Sequence, residues 1–394
     1  MQSSFPLVSR NTISQISPSL IREIANEGMD RPDMLAFWFG ESDKPTPQFI
    51  TDAAITSLQQ GETRYIQNLG RPYLRQALSD YLSLLHGHTI SSDQLAITSA
   101  GINGLMLVAQ TVLSPGDKVV AITPVWPNVV EIPQILGASV ERVALTVQDG
   151  AWALDMDLLL SALTPDVRML IINSPGNPTG WTITDEEVQT ILAHCRKHGI
   201  WILSDDAYQR LIYASDRHYA PSFLDYATPE DRLISVNTFS KAWLMTGFRV
   251  GWVVAPPSII DALGKLIEFN TSCLFEPCQR AAQAALLGGE SGIISLRAEL
   301  ARSYQFLVNG LRELPGVSVP ESGGGMYAFF RIEGFDDTTT LAKRLVRESA
   351  LGLAPGAAFG PEGNGWLRWC HAVSSTDKLQ QGLMRLSEFL ARNR

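Results

Sequence analysis

VRMLIINSPGNPTGWTITDEEVQTILAHCRKHGIWILSDDAY, residues 167–208, decides the fold. It opens on VRMLIIN and closes on IWILSD, two runs apolar almost throughout, with DEEVQTILAHCRKHG between them. A strand that is hydrophobic at successive positions has both faces covered, as happens when crossover helices pack on the two sides of a parallel sheet. Thr184 followed by Asp185, Glu186 and Glu187 supplies a helix cap and an acidic first turn, which satisfy free N–H groups and the positive end of the helix dipole. The stretch therefore predicts a strand, a helix and a second, parallel strand.

The alternation continues on either side. QLAITSA, GINGLMLVAQTVL and KVVAITP precede it and RLISVNTFS follows, so an α/β core with a mostly parallel sheet between helices is expected. From about residue 277 the pattern changes to one long helical stretch, QRAAQAALLGGESGIISLRAELARSYQFLVNGLREL. Two strands, VSVPES and GMYAFFRI, and a helix after Ser375 come next. This predicts a large domain over 47–284 and a smaller α+β domain assembled from 1–46 and 285–394. A chain of 394 residues is too long for one ordinary core, and its 45% hydrophobic content is ample for two.

Composition excludes several classes of function. A formal charge of −9, with no block of Lys and Arg, repels a phosphate backbone and speaks against nucleic acid as a partner. No apolar run approaches the ~20 residues of a membrane span, and MQSSFPLVSRNTISQ lacks an apolar signal core, so no membrane partner is expected and the cytosol is the expected compartment. Cys195, Cys273, Cys278 and Cys370 form neither a CxxC pair nor a zinc-spaced cluster with histidine, so no metal site and no disulfide framework is expected. A small-molecule partner fits best.

In doubly wound sheets ligands sit beyond the carboxyl ends of the strands, and here those ends are polar. QLAIT runs into Ser99, Ala100, Gly101 and Ile102 at the start of a helix, whose free N–H groups suit a phosphate. Thr238, Ser240 and Arg249 add hydroxyl donors and a guanidinium fork, although turn hydroxyls and a surface salt bridge would read the same way. Asp205, at the end of a buried strand, needs a cation beside it, which a protonated pyridine nitrogen would provide; a helix cap is the plainer alternative. Lys241, partly desolvated near Arg249, would lose basicity as an imine-forming lysine must, whereas a solvated surface lysine needs no such account. Asn177 is a donor in a rigid Pro/Gly loop or part of a plain turn, and Trp126 is a plate for a planar ring or a core aromatic. Arg368, in the apolar GWLRWCHAV, matches a carboxylate or a structural ion pair. The set together is far more specific than any one member.

NSPGNPTG, SDDAYQRL and TFSKAWLMTGFRVGW, in that order and spacing, resemble the class I/II aminotransferases, pyridoxal 5′-phosphate (PLP) enzymes of fold type one. LAFWFGESDKPTP, TRYIQNLGRPYLRQAL, GGGMYAFFRI and PGAAFGPEGNGWLRWCHA extend the similarity over nearly the whole chain. The resemblance implies an aspartate-aminotransferase-like fold and a homodimer with shared sites. It implies that Lys241 forms the Schiff base with PLP and then shuttles a proton between the substrate Cα and the cofactor. It further implies that Asp205 pairs with the pyridine nitrogen, that Asn177 and Tyr208 hydrogen-bond the ring oxygen, and that Trp126 stacks on the ring. Gly101, Ile102, Thr238, Ser240 and Arg249 would bind the phosphate, with Tyr65 reaching it from a neighbouring subunit. Arg368 would clamp the substrate α-carboxylate, helped by Asn177 and the Gly40 backbone.

Some positions depart from the family pattern. Ala100 stands where glycine is frequent, Thr238 where serine is, Trp126 where tyrosine is, and His371 lies just beyond the carboxylate clamp. Phe37, Trp38, Tyr65 and Lys44 are candidates for the substrate pocket, with Lys44 able to attract an acidic side chain and aromatic packing as the plainer reading. The expected reaction moves the amino group of an L-amino acid to a 2-oxo acid by ping-pong half-reactions. Elimination, cyclisation or oxidative deamination on the same scaffold shares the first proton abstraction. A PLP-binding regulatory module would call for a DNA-binding segment and a basic face; the first 45 residues show no helix-turn-helix pattern and belong to the resemblance, so that reading is not expected.

Overall fold

The computed structural model describes residues 8–214 and 216–393; residues 1–7, part of the amino-terminal segment expected in the smaller domain, lie outside the described residues. Seven strands form the larger sheet: β1 (Leu95–Thr98), β2 (Lys118–Thr123), β3 (Ser139–Ala144), β4 (Val167–Asn173), β5 (Trp201–Asp205), β6 (Leu233–Thr238) and β7 (Gly251–Val254). Their spatial order is β1-β7-β6-β5-β4-β2-β3. All run parallel except β7, which is antiparallel to both β1 and β6. The apolar runs of β4 and β5 are buried along almost their whole length, as strands covered on both faces must be. Because β1, β2, β4, β5 and β6 share one direction, their polar carboxyl ends meet along one edge, where Asn173 of β4 pairs in register with Asp205 of β5.

Among the helices are α1 (Leu20–Asn26), α2 (Gly101–Val112) and α3 (Asp185–His198), of which α2 stops before Ser114 and α3 starts after Thr184 as expected. Thr184 and Glu187 form a reciprocal capping box on α3, and Gly199 closes it in the left-handed conformation at φ 66°. The carboxyl-terminal half holds a second, antiparallel sheet of β8 (Val317–Ser318), β9 (Tyr327–Ile332), β10 (Ala354–Pro355) and β11 (Trp366–Cys370), in the order β8-β9-β11-β10. Helix α4 (Glu276–Gly288) lies against the helices Gln48–Gln59 and Pro72–His86, while α5 (Glu290–Arg312), which follows it, packs on β8, β9 and α6 (Thr376–Asn393). No helix among the described residues is long and apolar enough to cross a membrane.

Two expectations need correction. The stretch read as one long helix is α4 and α5, broken at Gly289: the Trp243 indole donates to the Ala285 carbonyl at 3.0 Å, and a Cβ on Gly289 would fall 2.3 Å from that carbonyl oxygen and 2.8 Å from the indole. VSVPES is strand only over Val317–Ser318, because Pro320 has no N–H to give a ladder.

The turn after β6 is held from beneath. Phe239 and Trp243, on either side of Lys241, are buried and pack on Trp252 of β7 with ring centroids 4.9 and 6.0 Å away. Burying each of these rings contributes roughly 1.5–3 kcal/mol, which fixes the backbone from which Lys241 projects.

Candidate active site

A cavity of about 890 Å³ opens at the carboxyl edge of the large sheet. Lys241 enters it from the turn after β6, and its Nζ donates to the Gly40 carbonyl at 2.5 Å. Removal from water lowers the amine to about pKa 8; the charges of Arg368 and Arg249 push the same way, and Glu41 opposes them. Asp205, at the tip of β5, is 5% exposed and receives one N–H, from Ala207 at 3.3 Å. Burial raises its carboxyl to about 6. A carboxylate so short of donors at a cavity wall calls for a cationic group in the cavity.

The neighbouring wall is built from the start of α2. Ala100, its cap, sits at φ 82° and ψ 161°, a conformation that favours glycine. The N–H groups of Gly101 and Ile102 are in the first turn and have no helical partner. This helix end can approach the sheet because residue 251 on β7 is glycine: a Cβ there would lie 2.4 Å from the Gly101 nitrogen. Thr238 Oγ1 donates to the Val250 carbonyl at 3.1 Å and accepts from the Ser240 N–H at 3.1 Å. Arg249, in the left-handed region at φ 56°, donates to the Thr246 carbonyl at 2.5 Å and lines the same wall. Two hydroxyls, a guanidinium and a helix amino terminus are the donor set of a phosphate site.

Arg368, on β11, is 2% exposed and reaches the cavity from the small sheet. Its Nη1 donates to Asn177 Oδ1 at 2.8 Å, its Nη2 to the Trp38 carbonyl, and its Nε has no partner. With Oδ1 of Asn177 engaged, the amide nitrogen is left as a donor. The guanidinium lies over the Tyr327 ring, 4.4 Å from its centroid. The Tyr327 hydroxyl is 2.6 Å from that of Tyr208, and Lys241 Nζ is 5.7 Å from the centre of the Tyr208 ring. Burial raises the Tyr208 phenol well above its usual range and Tyr327 to about 12, so both are neutral hydroxyls at ordinary pH. Gly40 admits this arrangement, since a Cβ there would fall 1.9 Å from the Tyr327 oxygen. Trp126 lines the cavity from the loop after β2.

Other candidates lie elsewhere. Tyr65 is 90% exposed and outside the cavity of its own chain. Lys44 is paired with Glu299 and does not line this cavity. Phe37 packs on Trp369 with centroids 5.0 Å apart, and Trp38 contributes its carbonyl instead of its ring. His371 is wholly buried; its Nε2 lies 2.8 Å from the Tyr213 hydroxyl, and burial lowers it to about 3, so it is a neutral packing group. Unanticipated wall residues are Tyr327, Asn173, Asn237, Phe39, Glu41 and Arg22. Asn173 holds the floor: its amide donates to the Asp205 carbonyl at 3.0 Å and accepts from the Asn177 N–H at 2.8 Å. Its place at the end of VRMLIIN was the available signal.

The donor set fits the expected cofactor. The under-satisfied Asp205, the depressed amine of Lys241 and the cradle at α2 suit the ring nitrogen, aldehyde and phosphate of PLP, while the free Nε of Arg368 leaves capacity for a carboxylate. Comparison with known proteins agrees. The family profile described as Aminotransferase class I and II matches residues 32–386. An aspartate aminotransferase of Pyrococcus horikoshii is 31% identical over 95% of this chain and 95% of its own. A crystal structure of aspartate aminotransferase from Thermotoga maritima superposes with a TM-score of 0.89 at 29% identity, covering 98% of this chain and 100% of that one. An aromatic aminotransferase from Pyrococcus horikoshii superposes with a TM-score of 0.86 at 28% identity, covering 94% and 99%.

Proposed function

Because this chain belongs to the class I and II aminotransferases, PLP-dependent transferases of amino groups, we propose that it moves the amino group of an L-amino acid to a 2-oxo acid in two alternating half-reactions at the cavity around Lys241. The observation that carries this reading is a lysine of lowered basicity and a donor-poor buried carboxylate sharing one wall. Bound there, PLP supplies an aldehyde that takes up the amino group and a ring that accepts the electrons released at the substrate α-carbon.

The chain's own groups divide the remaining work. Arg368 and the Asn177 amide bind and orient the substrate α-carboxylate. Lys241 Nζ, near pKa 8, takes the proton from the substrate α-carbon and hands it to the cofactor side, so that the substrate can leave as a 2-oxo acid. Asp205 holds a protonated ring nitrogen, which relieves the cost of its own burial. Thr238, Ser240, Arg249 and the first turn of α2 hold the phosphate, while Tyr208 and Trp126 fix the plane of the ring. Two domains, 47–284 and 1–46 with 285–394, face each other across the site in this proposal. Two copies of the chain form a dimer, in which the exposed Tyr65 reaches the phosphate site of the other copy.

A donor panel tests the reaction. Loss of the amino donor should track 2-oxo acid formation and require a 2-oxo acid acceptor, and Lys241→Ala should abolish both. Ammonia release without an acceptor would refute amino transfer. Sedimentation of the holoenzyme tests the dimer.

A further inference from the structure

His371 departs from the family pattern, and the chemistry above leaves it unused. Its side chain is fully buried one residue past the end of β11, with Nε2 2.8 Å from the Tyr213 hydroxyl and no partner at Nδ1. The Tyr213 hydroxyl donates to the Gly325 carbonyl at 3.2 Å. It therefore accepts from the imidazole, which places the ring proton on Nε2 and leaves an acceptor at Nδ1, less costly to bury unpaired than an N–H. Burial keeps the imidazole neutral and the phenol protonated, so this direction persists through the ordinary pH range.

Tyr213 ends a segment that begins at Tyr208 on the cavity wall. That segment is laced to the glycine run leading into Tyr327: the Gly325 N–H donates to the Leu211 carbonyl at 2.7 Å, and the Tyr213 N–H to the Gly323 carbonyl at 3.1 Å. No side chain fits between the two, since a Cβ on Gly324 would fall 2.6 Å from the Leu211 carbonyl oxygen. Tyr304 of α5 stacks on the Tyr213 ring with centroids 4.7 Å and planes 26° apart, which fixes the direction of the hydroxyl.

Two side-chain bonds thus join the β11 strand to loops of the large sheet. Arg368 reaches Asn177 after β4 at 2.8 Å, and His371 reaches Tyr213 after β5. They stand three residues apart, ~10 Å of extended chain. The first bond is made by groups the substrate claims, because the guanidinium and the Asn177 amide both turn to its α-carboxylate. The second uses no such group, since neither His371 nor Tyr213 lines the cavity. It stays closed while the first is remade, and so keeps the distance between the fork and the floor.

We infer that the His371–Tyr213 bond is the positioning contact that presents Arg368 to the substrate carboxylate, holding β11 in place against the loops after β4 and β5 when Asn177 is drawn to the substrate. This rests on the amino-transfer reading.

Three variants and two readouts test it. Tyr213→Phe removes one hydroxyl and keeps the stacked ring, His371→Phe removes the donor, and His371→Gln keeps a donor. The readouts are KM and kcat for amino donors, and calorimetric titration of the holoenzyme with butyrate, a bare carboxylate. Without the bond a smaller share of molecules presents the fork in place. KM for every amino donor and the butyrate Kd should then rise roughly 3- to 10-fold in Tyr213→Phe and His371→Phe, the worth of one hydrogen bond between neutral groups, while kcat changes less than ~2-fold. The double variant should be no worse than either single one, and His371→Gln should recover most of the loss. Unchanged KM and butyrate affinity in an active Tyr213→Phe enzyme, a loss confined to kcat, additive losses in the double variant, or a wild type that does not bind butyrate overturns the assignment. A wild type that turns over no amino donor would sink amino transfer itself, and the butyrate comparison would then decide the pair on its own.

Discussion

The acidity of Lys241 can be measured without cofactor or substrate. Its amine falls from the usual 10.5 to about 8 because it is withdrawn from water, with Arg368 and Arg249 adding to the effect. At pH 7 that change raises the unprotonated fraction roughly 300-fold, from ~0.03% to about a tenth of the molecules. Competitive acetylation of the cofactor-free protein with trace acetic anhydride, read by peptide mass spectrometry between pH 6 and 11, reports this fraction directly. The reactivity of Lys241 should rise to half its plateau near pH 8, against 10.5 for a lysine in a short peptide. Arg368→Met should move the midpoint upward, because a neighbouring positive charge that favours the neutral amine is gone. A wild-type midpoint near 10.5, or no movement in Arg368→Met, would refute the electrostatic account of the lysine.

Asp205→Asn should have opposite effects on stability and function. The folded carboxyl titrates near 6 instead of 3.8, so burial of its charged form costs stability above pH 6, and that cost disappears as the pH falls through 3.8. The cofactor-free variant should therefore be more stable at pH 8 by up to about 3 kcal/mol, with the advantage gone below pH 4 in melting experiments, while its amino-transfer rate drops at least ~100-fold. Ala100→Gly should relieve roughly 1–3 kcal/mol of backbone strain at φ 82°, ψ 161° against roughly 0.5–1 kcal/mol of added chain entropy, leaving a net gain of about 1 kcal/mol; an unchanged or lower melting temperature would count against it. Arg368→Lys should lower kcat/KM for every amino donor roughly 100-fold, because an ammonium cannot hold Asn177, the Trp38 carbonyl and a carboxylate at once.

The large sheet was legible because burial on both faces leaves a plain signature, the nearly continuous apolar runs of β4 and β5. The position of the cavity followed from parallel strands ending together: Asp205 is the tip of one, and Asn177 and Lys241 stand just past two others. The direction of β7 was not legible, since hydropathy carries no polarity along the chain. The break between α4 and α5 depends on an indole 46 residues earlier, Trp243 against Gly289, which no local pattern announces. Contacts made across the fold were equally hidden. The Tyr327 hydroxyl meets Tyr208 across 119 positions, and Lys44 is neutralised by Glu299 across 255. His371 was ambiguous because a histidine beside a binding arginine reads alike whether packed or reactive; only its burial against Tyr213 and Tyr304 decides.

The central claim is that the amine of Lys241 holds the cofactor at this cavity. Borohydride reduction of the holoprotein followed by peptide mapping addresses it most directly. The pyridoxyl mass should appear on the peptide containing Lys241 and vanish in Lys241→Ala. A label on another lysine, or none on a protein that retains PLP, would contradict it.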